Sequence, residues 1–365
     1  MECNERVLSF VAEWFDPHPQ IVKKYLLKYH LSTDEVEMKD IQTKRIFLRK
    51  TKLPPSLRES DFFIGAKILL LSRDLKVIEY ADETTRSLLE SVNEMTICVL
   101  SPAIYESIGD AMSLIELAGF TLVDLKSMRL RDVEDAYAAA DLLRVDPDEL
   151  LRPEPLAVMT FRGYNSVVAV HDVVKSSSLV DRGLFCPSNL DEAMMYTKFF
   201  MSRQSRTSAT LDECTCCVIR PHAVRERIVG SILREITSRG FVISAAATFR
   251  LKRAAAAKFL EVYEGVVPEY REMLDEMCSG SVVALEVRLI ESGGCDALDQ
   301  QEKIVESFRA HAGPWDVNMA KELYPDTIRA IFGRDRVRSA IHCTDLPKDG
   351  VIECEYFFKI LGNFT

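Results

Sequence analysis

The sequence predicts an α+β protein in three parts: a small β-barrel or β-sandwich over residues 1–90, then two ferredoxin-like α/β sandwich domains over 91–205 and 206–365. Three observations predict it. The last two thirds of the chain repeat themselves, each repeat alternates strand-like and helix-like periodicity, and the leading region carries short strand-like runs between turn signals.

In the leading region, YLLKYHL, VEMKDI, RIFLRKT, AKILLLS and KVIEYAD are the strand-like runs. None is long enough to suggest a helix, and turn residues separate them. The repeat begins with TICVLSP (Thr96 to Pro102), which aligns with TCCVIRP (Thr215 to Pro221) 119 residues later. AGFTLVDLKSMRL from Ala118 then matches RGFVISAAATFRL from Arg239, and LAVMTFR from Leu156 matches VVALEVR from Val282. A paired aromatic, Phe199-Phe200 and Phe357-Phe358, closes an amphipathic stretch in each copy. Strand, helix, strand, helices, strand is the order in both. It implies a mainly antiparallel sheet with helices over one face. The polar stretch SRQSRTSATLDE (Ser202 to Glu213) sets the boundary between copies.

Composition narrows the function. With 47% hydrophobic and 28% charged residues, the 365-residue chain has ordinary globular composition rather than that of a disordered segment. A formal net charge of -10 opposes general attraction to nucleic acid or acidic lipid. No apolar run is long enough to span a bilayer, and MECNERVLSF carries acid where a signal peptide needs base, so an intracellular protein is expected, with no membrane or nucleic-acid partner. Ten cysteines are then expected as thiols. Cys214 and Cys217 formally make a C-x-x-C, but no second pair follows at zinc-site spacing and TCCVI reads as a buried strand. No metal site is expected.

The copies differ in length. Arg162 and Phe185 are 23 positions apart in the first, whereas Arg288 and His342 are 54 apart in the second, so about 31 residues are missing from the first copy. Chemistry carried by that segment belongs to the C-terminal half alone.

Three motifs of the second copy resemble nucleoside diphosphate kinases: CVIRPHAV (Cys217 to Val224), YPDTIRAIFGRDRVRSAIHCTD (Tyr324 to Asp345) and LPKDGVIECEYFF, which contains Glu353. The whole chain is similar to the axonemal seventh-type branch of that family, whose leading module is the DM-ten domain, of PH-like type. AEWFDP, VEMKDIQTKRIFLRKT and FFIGAKILLLSR carry that part of the resemblance. The resemblance implies residence in the cytoskeleton, as an inner protein of ciliary and flagellar doublet microtubules. Tubulin and other axonemal proteins are the implied partners, and Mg2+ with nucleotide is the implied cofactor if the chain is active.

For the site, the resemblance implies His342 as the phosphate-accepting nucleophile, oriented by Glu353 or by Thr344 bridging to it. Arg309 and Arg329 match phosphate-binding arginines, whose forked guanidinium suits phosphate oxygens. Arg220 replaces the family's lysine, Ser339 an asparagine beside the sugar, and Trp315 stands near a nucleotide-contacting threonine, while Tyr263 aligns with a base-side tyrosine. In the first copy Ser101 takes the lysine position and Phe185 the histidine position, which implies a catalytically dead domain. His18, His30, His171, His222 and His311 read as structural. Arg334, Arg336 and Arg338 are open between a solvated face and a tubulin-facing patch. Three functions follow: a structural axonemal protein with weak phosphotransfer in the second copy, an active nucleoside diphosphate kinase, and a nucleotide sensor.

Overall fold

The computed structural model describes residues 6–16, 19–54, 57–70, 73–90, 92–130, 132–202, 206–289 and 297–362. His18 and residues 203–205 of the polar boundary lie outside them. The chain divides into two compact units, Met1–Glu94 and Met95–Thr365.

The first unit is a six-stranded antiparallel sheet. Its strands are β1 (Val7–Asp16), β2 (Ile21–His30), β3 (Glu35–Asp40), β4 (Ile46–Lys52), β5 (Lys67–Leu70) and β6 (Arg73–Tyr80), in the order β4-β3-β2-β1-β6-β5. Side chains two positions apart share a face. Leu8, Phe10 and Ala12 on β1 thus meet Tyr25, Leu27 and Tyr29 on β2 and Leu75 and Val77 on β6 in one buried core. Phe62 closes it, stacked on Tyr29 with ring centroids 5.0 Å apart. The helix Glu83–Leu89 follows β6, started by Asp82, whose side chain accepts from the Thr85 N–H.

The second unit holds both copies in one nine-stranded sheet among the described residues. Its strands are β7 (Glu94–Leu100), β8 (Thr121–Arg129), β9 (Leu156–Gly163), β10 (Leu184–Phe185), β11 (Arg206–Thr207), β12 (Thr215–Ile219), β13 (Phe241–Phe249), β14 (Val282–Leu289) and β15 (Ile341–Cys343). The path runs β10-β7-β9-β8-β13-β14-β12-β15, with β11 beside β8. From the outer edge inward, each copy therefore places its strands in the order fourth, first, third, second, as a ferredoxin-like fold requires. The two second strands meet at the seam.

That seam rests on few backbone contacts. Ala247 pairs with Lys126, the Ala246 N–H donates to Ser127 Oγ at 2.6 Å, and the Leu125 N–H donates to Thr248 Oγ1 at 2.9 Å. Above it the helices Ile108–Leu117 and Val229–Ser238 cross with little separation. A Cβ on Gly230 would lie 2.3 Å from the Ser113 nitrogen, and one on Gly109 would lie 2.6 Å from the Arg234 nitrogen. One continuous core, including Met112, Ile115, Ile232 and Leu233, lies under both helices.

The expectation of helices on one face is corrected. Every residue of β12 is buried, with Cys217 and Ile219 facing the shared core and Cys216 and Val218 facing a second core. That second core is covered by Arg253–Phe259, Tyr270–Cys278 and Gly350–Glu355. An unbroken apolar run has no solvent face, so both sides of the sheet need cover.

Candidate active site

β15 is three residues long and pairs with β12, setting His342 opposite Val218. His342 is 3% exposed. Its Nε2 lies 3.0 Å from Glu353 Oε2, on the helix Gly350–Glu355. An ionised carboxylate only accepts, so Nε2 carries the proton and Nδ1 keeps its lone pair. Thr344 does not stand between them. Its Oγ1 donates to the same Glu353 oxygen at 3.0 Å and accepts from the Cys216 N–H at 3.0 Å, which ties the carboxylate to the central strand.

Two aromatic rings flank the imidazole. Phe259 meets it edge-on at 4.7 Å and Tyr263 at 6.3 Å between centroids. The Tyr263 hydroxyl donates to Asp345, and burial first, then the Asp345 charge, raises its pKa. Arg309 also donates to the Asp345 carbonyl and lies 3.6 Å from its carboxylate. Phe259 and Asp345 were not singled out from the sequence, although Asp345 ends the HCTD of the histidine motif and Phe259 precedes Tyr263 by one helical turn.

Arg329 lies under β15. Its Nη1 donates to the Gly313 carbonyl at 2.7 Å, and Nε and Nη2 reach the Ile341 carbonyl at 3.4 Å. Arg220, 2% exposed, donates from Nη1 to the Val337 carbonyl at 2.7 Å, while its buried Nε has no protein partner. Burial first, then the charge of Arg329, brings the Arg220 pKa down to about 10, which leaves it a cation at neutral pH. Ser339 is fully buried, with Oγ 3.4 Å from the Ile341 carbonyl. Trp315 stands beneath the Arg336 guanidinium at 5.9 Å.

The remaining arginines of the motif are paired. Arg334 binds Glu226 at 2.7 Å, Arg336 binds Asp316 at 2.6 Å and Glu269 at 3.3 Å, and Arg338 binds Asp335 at 2.5 Å. They form a zipper of charges along the loop rather than a free cationic patch.

The first copy reproduces the scaffold without these groups. Phe185 on β10 pairs with Val99 as His342 pairs with Val218. The Ser101 N–H donates to the Gly183 carbonyl at 2.8 Å as the Arg220 N–H donates to the Ala340 carbonyl at 2.9 Å. The Ser101 hydroxyl is buried without a protein partner.

A family model described as nucleoside diphosphate kinase matches residues 213–361. The mouse protein "Nucleoside diphosphate kinase homolog 7" is 34% identical over 97% of this chain and 93% of its own length. The chain belongs to the nucleoside diphosphate kinase family. The Aquifex aeolicus nucleoside diphosphate kinase is 32% identical over 40% of this chain and 94% of its own. A crystal structure of the Aquifex aeolicus enzyme covers 40% of this chain and 96% of itself at 30% identity and a TM-score of 0.35. The nucleoside diphosphate kinase match thus spans the second copy, and the homolog 7 match spans all three parts. No helix among the described residues is long and apolar enough to cross a membrane.

Proposed function

We propose that this chain is a scaffold of nucleoside diphosphate kinase folds carrying a single phosphoryl-transfer site, at His342. The asymmetry between two positions of matching strand register supports it: an imidazole held 3.0 Å from Glu353 in one copy, a phenyl ring in the other. In the reaction, Nδ1 of His342 attacks the γ-phosphorus of a nucleoside triphosphate. An N–P bond forms as the bond from phosphorus to the β–γ bridging oxygen breaks, and nucleoside diphosphate leaves. A terminal oxygen of a second diphosphate then takes the phosphoryl group from nitrogen. Glu353 keeps the Nε2 proton in place as positive charge develops on the ring.

Arg220, Arg309 and Arg329 supply the cations for the phosphate oxygens, and Tyr263 and Ser339 line the nucleotide side. Three guanidinium groups suit anionic phosphate and repel a free divalent ion, so Mg2+ fits this site as part of the nucleotide complex, where it neutralises phosphate charge. Incubation with γ-labelled ATP tests the assignment. Acid-labile, base-stable label is expected at His342 and lost in His342→Ala; label in the first copy, or surviving the substitution, would sink it.

The setting is an axonemal one in this reading, with tubulin and other axonemal proteins as partners in the cilium or flagellum. The resemblance of the leading region to the DM-ten module supports it, as does a first copy kept folded with no nucleophile. A chain lacking residues 1–90, expressed in a flagellated cell, is expected to miss the axoneme. Normal incorporation would move the targeting role to the kinase-like copies.

A further inference from the structure

We propose that the second copy binds a Zn2+ ion between its sheet and the helix that carries Glu353, with Cys214, Cys354 and Glu286 as its protein ligands. Ligand atoms of Cys214, Cys354 and Glu286 all lie within 4.8 Å of one another, and each residue is fully or nearly fully buried. Ligands about 2.0–2.3 Å from a tetrahedral zinc sit roughly 3.3–3.8 Å apart, so a side-chain adjustment of about an ångström closes the set.

The carboxylate is prepared as a ligating one is. Glu286 Oε2 accepts from the Thr210 N–H at 2.8 Å and from Ser244 Oγ at 2.5 Å, whereas Oε1 accepts from the Leu211 N–H at 2.6 Å and keeps a lone pair. Outer hydrogen bonds of this kind fix a ligand before the metal arrives. The spacing that looked like a metal motif is not the one used. Cys217 faces the other core, and the true companions of Cys214 come from β14 and from the helix Gly350–Glu355.

The first copy provides an internal control. By the repeat alignment its residues at the three positions are Met95, Thr160 and Tyr196. The same layer therefore packs without a thiol or a carboxylate, and packing alone does not require three donors in the second copy.

The test uses the untagged full chain purified without chelator. Elemental analysis is expected to find about one zinc per chain, reduced at least tenfold in Cys354→Ser and unchanged in Cys217→Ser. Chain refolded with Co2+ should show thiolate-to-cobalt absorption and the visible bands of tetrahedral cobalt. Folded wild-type chain with little zinc and no cobalt–thiolate bands would overturn the site, as would zinc fully retained in both Cys354→Ser and Cys214→Ser. The wild-type cobalt spectrum decides the matter if the variants do not fold.

Discussion

A single proton placement decides what His342 can do. Glu353 occupies Nε2, Thr344 braces Glu353, and Nδ1 is left as the ring's free base. Replacing Glu353 with Gln keeps the size but lets an amide N–H face Nε2, which favours the wrong tautomer. Phosphohistidine formation in a single turnover is expected to slow by about 100-fold or more. An unchanged rate would show that Glu353 is a packing residue. The arginines make the complementary point. Arg334, Arg336 and Arg338 are paired with carboxylates, and the proposed phosphate cations are Arg220 and Arg329, held by backbone carbonyls, with Arg309 beside Asp345.

Among the elements, the pair of crossing helices carries most of the join between copies. Glu116, buried at the end of Ile108–Leu117, accepts the Val229 and Gly230 N–H groups at the start of Val229–Ser238. Burial outweighs those bonds and raises its pKa to about 7. The folded protein therefore binds this proton more tightly than the unfolded chain, whose glutamates titrate near 4.3. Its contribution is full below about pH 4.3 and is lost as pH rises to about 7, on the order of 3–4 kcal/mol in all. Urea unfolding of the wild type should show this loss relative to Glu116→Gln, which keeps an acceptor for Gly230 and cannot titrate. Parallel pH profiles would refute it. At the crossing itself, Gly230→Ala sets a methyl 2.3 Å from the Ser113 backbone. A loss of about 1–3 kcal/mol in denaturant unfolding is expected.

For the whole molecule, the kinase-like copies behave as one body. They share a sheet and a core, while Met1–Glu94 keeps a core of its own. A fragment of residues 206–365 would bare the β13 edge and the Gly230 face of its helix, both covered by the first copy in the full chain. Exposed edges and apolar faces seek partners. The fragment is expected to sediment as a dimer at tens of micromolar, whereas one of residues 95–365 stays monomeric. A monomeric short fragment would show that the first copy's cover is dispensable.

Periodicity made the repeat and the buried strands of each copy legible, because each is a pattern of burial within a segment, while the pairing of Glu353 with His342 came from the resemblance of their motifs to the family. TCCVI announced a buried strand, and the spacing of Arg329 to His342 suggested a shared site because it fits the motif of the family the segment resembles. Tertiary structure alone decided what those residues face. It joined the two copies edge to edge at Ala247 and Lys126, covered both faces of the sheet, neutralised the loop arginines, and brought Glu286 and Cys354 to Cys214 from 72 and 140 positions away. The physical reason is common to all four. Burial is written into a segment's own pattern, but the partner that provides it is chosen by long-range packing, where no local pattern names which side chain will stand opposite.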